Sequence, residues 1–210
     1  YLHRLWGRII GIAFLVPLIF FLSRGHLGGV LLFKLTIIFT FGMAQGFLGW
    51  YMVMSGLAER PDVSQYRLTA HLGVAILIYA YMFWVALEQL HDRSLKTAII
   101  NKGIHRLTII VIVWLILTML AGALVAGLDA GFTYNTFPLM DGRLIPLGLL
   151  KFSPLHINFF ENIVTVQFDH RLMAKISILL TAVLWWLARK ELKPERARWP
   201  FHLFGLLLLI

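Results

Sequence analysis

The 210 residues are 60% hydrophobic and only 14% charged, carry a formal charge of +9, and include no cysteine. The apolar residues come in five long blocks, each matching the roughly 30 Å of hydrocarbon that a transmembrane helix must cross. A soluble globular domain is therefore excluded. Without cysteine, so are disulfides, thiolate nucleophiles, iron–sulfur ligation and cysteine-bound heme. The positive charge reports topology rather than nucleic-acid binding, since no basic face with interleaved aromatics is present.

A backbone in lipid must satisfy its own hydrogen bonds, so blocks of this length are helices. The first is expected at roughly residues 2–22, the second at 28–54, the third at 68–90, the fourth at 106–127 and the fifth at 163–188. A sixth starts near residue 200. The breaks fall at Ser23, Arg24 and Gly25, at Arg60, Pro61 and Asp62, along His91 to Lys102, and along Arg189 to Pro194. The chain opens at Tyr1 inside one apolar run and stops at Ile210 inside another, so it reads as a fragment.

One set of connections carries Arg24, Lys34, Arg93, Lys96, Lys102, Arg106, Arg189, Lys190, Lys193, Arg196 and Arg198; the other carries only Arg60, Arg67, Arg143 and Lys151. Positive charge concentrates on the cytoplasmic or matrix side, so the first set lies inside. The first, third and fifth helices then run from outside to inside. The outer connection of about 35 residues between the fourth and fifth helices exceeds an ordinary loop. Its apolar stretch from Leu147 to Phe160 is expected to lie on the membrane surface and to cap the bundle's outer mouth.

Of eight histidines, His26, His91, His156 and His202 fall in expected loops or at helix ends, where a solvated imidazole costs nothing. His3, His71 and His170 each begin a helix of the same direction, which sets all three at one depth near the outer face. His3-Arg4-Leu5-Trp6-Gly7-Arg8 repeats as His170-Arg171-Leu172-Met173-Ala174-Lys175, and internal repeats are common in membrane bundles. Gly7, Ala75 and Ala174 stand four residues beyond the three histidines and so share their faces. The resulting shallow groove suits a flat macrocycle, although small residues serve ordinary helix packing equally well. His105-Arg106-Leu107 repeats three letters without the small or basic residue and begins a helix of the opposite direction; it reads as interfacial.

Neutral imidazole ligates heme iron, and two imidazoles at equal depth on facing helices give bis-histidine coordination. His3 with His71 meets that requirement, while His170 needs a further partner. Arg4, Arg8, Arg67, Arg171 and Lys175 are candidate partners for heme propionates, with snorkelling to lipid headgroups as the alternative.

The segments Tyr1-Leu2-His3-Arg4-Leu5-Trp6-Gly7-Arg8, Gln45-Gly46-Phe47-Leu48-Gly49-Trp50-Tyr51-Met52, Tyr66-Arg67-Leu68-Thr69-Ala70-His71, Ala126-Gly127-Leu128-Asp129-Ala130-Gly131, Tyr134-Asn135-Thr136-Phe137-Pro138-Leu139-Met140 and Val166-Gln167-Phe168-Asp169-His170-Arg171 resemble the heme A synthase family, in its cysteine-free mitochondrial and alphaproteobacterial branch. The resemblance runs the length of the chain. It implies an all-α polytopic membrane protein, a fragment of an eight-helix fold made of two four-helix bundles related by a pseudo-twofold axis. Residues 1–90 would give three helices of the substrate-heme bundle, 91–105 an inner loop, and 106–210 a truncated heme b bundle with 128–162 as its outer cap loop.

The resemblance further implies that a methyl group of heme O is oxidised to the formyl group of heme A, through successive hydroxylations to a gem-diol that loses water, for cytochrome c oxidase. His3 and His71 would ligate the iron of the substrate heme, and His170 that of a heme b cofactor. A glutamate that the family carries three residues before its first histidine would precede Tyr1; Gln167 stands at the equivalent place before His170. Asp129 and Tyr134 either line the outer mouth or order the loop. Implied partners are membrane lipid, an electron donor such as a ferredoxin, heme O synthase and further copies of the chain. The implied setting is a bacterial cytoplasmic or mitochondrial inner membrane. On residues alone, a diheme electron-transfer protein and a non-catalytic heme-handling assembly factor remain open beside the synthase.

Overall fold

The computed structural model describes residues 1–56, 63–90, 101–192 and 195–207. Arg60, Pro61, Asp62, His91, Arg93, Lys96, Lys193 and the side chain of Arg196, which carry several of the loop expectations above, lie outside the described residues. Among the described residues five helices are long and apolar enough to cross a membrane, and the chain is a helical multi-pass membrane protein. Its packing gathers into two units, Tyr1–Ser94 and Leu95–Ile210.

The first unit holds α1 (Leu2–Ser23), α2 (Gly29–Gly56) and α3 (Gln65–Leu90). Helices α2 and α3 pack along each other, and α1 leans more lightly on α2. Lys34, expected in a connection, lies inside the second turn of α2, where its ammonium bonds the Glu88 carboxylate near the end of α3. Both side chains are half-buried, and each charge offsets the cost of drawing the other partly out of water. The pair also sets the two helices antiparallel, start against end.

The second unit is built on α4 (Lys102–Gly127) and α6 (Ile163–Glu191), with the single turn α5 (Asn158–Glu161) before α6 and α7 (Glu195–Leu207) after it. Val111 and Leu184 are almost fully buried and, with Ile104, form the apolar centre, flanked by Leu107, Leu115, Leu180, Phe201 and Phe204. Lipid tails are as apolar as leucine, so polar contacts and close packing hold such helices together. Trp114 Nε1 donates to the Met173 carbonyl at 3.0 Å, and the Thr118 and Ser177 hydroxyls meet at 3.2 Å. These contacts form a polar seam along the facing sides of α4 and α6.

Helix ends shift from expectation for local reasons. The Asn101 Oδ1 accepts from the backbone N–H groups of Gly103 and Ile104, so α4 starts at Lys102 rather than 106. An asparagine at this position satisfies two of the orphan donors of a first turn. Helix α6 runs on to Glu191 with Arg189 and Lys190 in its last turn, where cations face the negative end of the helix dipole. Helix α7 begins at Glu195 and carries Pro200 inside it, five residues before the apolar run announces a helix.

The segment between α4 and α6 folds against the start of α6. Asp141 and Gly142 both take positive φ, 51° and 74°, in a tight turn closed by paired backbone bonds between Met140 and Arg143. Two central residues with positive φ define the turn that Asp-Gly favours. Further on, Leu147, Phe152, Leu155, Phe159 and Phe160 turn apolar surface outward. Polar atoms of the same stretch bury themselves on Asn158, Asn162 and Thr165.

Candidate functional site

His71 lies seven residues into α3, with its ring laid on the backbone of Gly49 near the end of α2. A Cβ at Gly49 would stand 3.1 Å from the His71 Cε1. A glycine here lets the ring lie close, since any side chain would push it back by a few tenths of an ångström. One turn earlier on α2, the Gln45 Nε2 donates to the His71 carbonyl at 3.0 Å and stands 3.3 Å from the His71 Nε2. The carbonyl can only accept, which fixes the amide with its NH2 toward His71. An NH2 facing the ring makes Nε2 the acceptor and leaves the proton on Nδ1, which is buried without a partner.

His170 repeats the arrangement in the second unit. It lies eight residues into α6, and a Cβ at Gly122 of α4 would stand 3.0 Å from its Cε1. Its Nδ1 stands 3.1 Å from the carbonyl of Thr118, one turn before that glycine. A carbonyl accepts, so Nδ1 carries the proton and the Nε2 lone pair is left facing away. Among the described residues no hydrogen bond claims it. Fixing the second ring nitrogen in this way is how proteins orient a ligating histidine.

The glycine seat was not visible in the sequence. The small residues singled out there lie on the histidines' own helices, and Gly7 faces open space. The glycines that matter lie on the preceding helix, four residues after a polar residue: Gln45 before Gly49, Thr118 before Gly122. The six-residue repeat pairs His3 with His170, whereas the packing environment pairs His71 with His170. His3 is exposed at the start of α1, and Arg4 and Arg8 are exposed beside it. The Arg67 guanidinium lies 4.7 Å from the Tyr51 ring centroid, one turn before His71 on the same face.

Arg171 and Lys175 have protein partners. Arg171 donates to the carbonyls of Thr136 at 2.7 Å and Tyr134 at 2.5 Å, and the Lys175 Nζ lies 3.4 Å from the Pro138 carbonyl. Gln167 adds a bond to the Tyr134 carbonyl at 2.9 Å. Gln167, Arg171 and Lys175 succeed one another at four-residue spacing, so one face of α6 straps the Tyr134–Pro138 segment down. A glutamate at 167 would lack the donor. The Tyr134 hydroxyl reaches the Leu147 carbonyl at 3.4 Å, and Asp129 is exposed in a left-handed turn after α4. Replacing Arg171 and Lys175 together by alanine is expected to leave the helices intact and to speed protease cleavage between residues 134 and 147 severalfold, read by limited proteolysis in detergent.

Of the remaining histidines, His91 lies outside the described residues. His26, His105 and His156 are exposed. His202, expected near the start of the last helix, lies inside α7 and accepts a hydrogen bond from the Trp185 Nε1 at 3.0 Å.

The donor set has its own chemical meaning. Among the described residues no three His, Asp or Glu side chains gather to hold a metal ion. Each helix pair instead presents one imidazole seated on a glycine, with Nδ1 protonated and Nε2 as the lone-pair nitrogen. That is a donor suited to iron already held in a macrocycle, which needs only axial ligands.

Fold and site together define a multi-pass helical membrane protein with oriented single histidines between paired helices. All residues from 1 to 210 match the COX15-CtaA family of cytochrome oxidase assembly proteins, and the chain belongs to that family. It is 48% identical over 186 residues to a heme A synthase of Nitrosospira multiformis, covering 88% of this chain and 52% of the relative. It is 47% identical to a heme A synthase of Nitrosomonas eutropha, covering 100% and 60%. With heme A synthase COX15 of Arabidopsis thaliana the identity is 42%, covering 90% and 44%. The chain thus spans about half the length of the curated relatives it matches. No solved structure matches it.

Proposed function

We propose that this chain forms part of a heme A synthase, an oxidoreductase that converts the methyl group of heme O into a formyl group. The observation that supports this most directly is the pair of imidazoles, His71 and His170, each seated on a glycine with Nε2 as its lone-pair nitrogen. In this reading His3 and His71 hold the substrate heme, and His170 holds a resident heme b. The bound iron supplies the oxidising chemistry.

The protein's part is to place and to orient. Gly49 and Gly122 set the depth of each ring, and the Thr118 carbonyl fixes the tautomer of His170. Arg4, Arg8 and Arg67 lie at the end of their helices nearest His3 and His71, where propionates would meet them. Arg171 and Lys175 already bind loop carbonyls, so a propionate there would share or displace those bonds. Asp129 and Tyr134 border the loop above α6. An electron donor such as a ferredoxin, heme O synthase as supplier of substrate, and assembly with further copies complete the proposal, in a bacterial cytoplasmic or mitochondrial inner membrane.

The test is chromatography of heme extracted from membranes supplied with heme O and expressing the protein. Heme A is expected with the parent protein and is expected to vanish with His71→Ala, which retains heme b; His170→Ala is expected to lose heme b. Heme b retained without heme A under any electron donor would overturn the synthase and favour a diheme electron carrier.

A further inference from the structure

The two seated histidines differ in which ring nitrogen their neighbour holds. His170 is held at Nδ1 by the Thr118 carbonyl, and its Nε2 is open. His71 is approached at Nε2 by the Gln45 amide, and its Nδ1 is buried without a partner. Nε2 has one lone pair, which can accept a hydrogen bond or bind iron and cannot do both. The Gln45 side chain is tied to the His71 backbone by its bond to the carbonyl, so it stays over the ring without any help from the ring itself. The Gln45 Oε1 is also buried with no partner, so nothing on its other side holds the amide in place.

We propose that Gln45 is a gating residue that masks the iron-binding nitrogen of His71 in the heme-free site and must swing off for heme to be ligated there. This rests on the reading of His71 as a substrate-heme ligand. The contrast fits the two roles in that reading: a resident heme is served by a preset ligand, and a heme that must leave is served by a ligand with a competing partner ready to reclaim it. With the site empty, the amide would return to Nε2.

A ligand-orienting role and a masking role predict opposite signs. Removing a group that orients a ligating histidine typically weakens metal affinity by about 10–100-fold. Removing a mask strengthens affinity by what the masking bond was worth, about five- to tenfold for one net hydrogen bond. Gln45→Leu and Gln45→Met keep the side-chain bulk and remove both donors.

The experiment is titration of the detergent-purified protein with heme O, and in parallel with ferric protoheme as probe, followed by the Soret difference spectrum of low-spin bis-imidazole heme. Helix content and retention of the resident heme report that each variant is folded. The expected result is a five- to tenfold tighter and slower-dissociating heme in both Gln45 variants, abolished when His71→Ala is added. Unchanged or weaker binding in folded Gln45 variants would overturn the gate while leaving His71 a ligand. If His71→Ala alone leaves the titration unchanged, the ligand assignment falls and the gate falls with it.

Discussion

If His170 ligates heme as proposed, Gly122→Leu is expected to empty that site of heme while leaving α4 helical. Even the Cβ of alanine at this position would stand 3.0 Å from the His170 Cε1 and 3.5 Å from both ring nitrogens. Leucine adds three further carbons in the same place, so the ring must leave its seat and its bond to the Thr118 carbonyl. The helix itself gains, since leucine is a better helix former than glycine by nearly 1 kcal/mol. Loss of heme is then assignable to the displaced ring. Loss of orientation at a metal-binding histidine weakens affinity by at least about 10–100-fold. The heme-to-protein ratio from pyridine hemochrome spectra is expected to fall accordingly, with Gly122→Ala intermediate. Gly46→Leu is the control, because a Cβ there meets nothing within 4 Å. A full complement of heme in Gly122→Leu would remove the glycine seat from the account of this site.

Such a seat shows how far the sequence can be read and where it stops. Hydropathy places five spans to within a few residues, because lipid imposes the length and the apolarity of each one. Histidine position along each helix is legible for the same reason: depth follows from distance to the helix start. What lies opposite a histidine is a property of another helix, and no periodicity within α3 or α6 reports it. Gly49 was on view in Gln45-Gly46-Phe47-Leu48-Gly49 as a motif without a task, and Gly122 sits unmarked between Ala121 and Ala123. The group that fixes His170 is the backbone carbonyl of Thr118, to which the identity of residue 118 gives no clue. Arg171 and Lys175 were legible as one basic face, yet their acceptors are loop carbonyls that only the folded Tyr134–Pro138 segment supplies. The starts of α4 and α6 carried a readable signal in Asn101 and Asn162, since asparagine just before an apolar run marks a helix start. Hydropathy alone reaches the second start and misses the first by four residues.

Asn158→Leu is expected to undock the segment between α4 and α6. Asn158 is fully buried, and its amide is saturated. The Oδ1 accepts from the Phe152 N–H at 2.8 Å and the Asn162 Nδ2 at 2.9 Å. The Nδ2 donates to the carbonyls of Phe152 at 2.8 Å and Leu155 at 2.9 Å. Leucine fills a similar volume and satisfies none of them, leaving three backbone groups of the cap without their partner. At about 0.5–1.5 kcal/mol net for each of the four hydrogen bonds lost, the cost is on the order of 2–6 kcal/mol. That is a large share of the roughly 5–15 kcal/mol that holds a typical domain together. The α4–α6 centre around Val111 and Leu184 does not depend on Asn158, so the cap is expected to open while the helix pair survives. Hydrogen exchange should rise at residues 148–158, where Leu150 holds a left-handed φ of 54° with its N–H on the Thr165 hydroxyl. Asn158→Asp keeps the acceptors and loses the donors, and should fall between. Since Asn162 caps α6 about two turns before His170, an opened cap uncovers the end of the helix that carries the histidine. On the proposed ligation by His170, heme should therefore dissociate faster from Asn158→Leu than from the parent. Unchanged exchange together with an unchanged off-rate would mean that this buried amide is not what holds the cap closed.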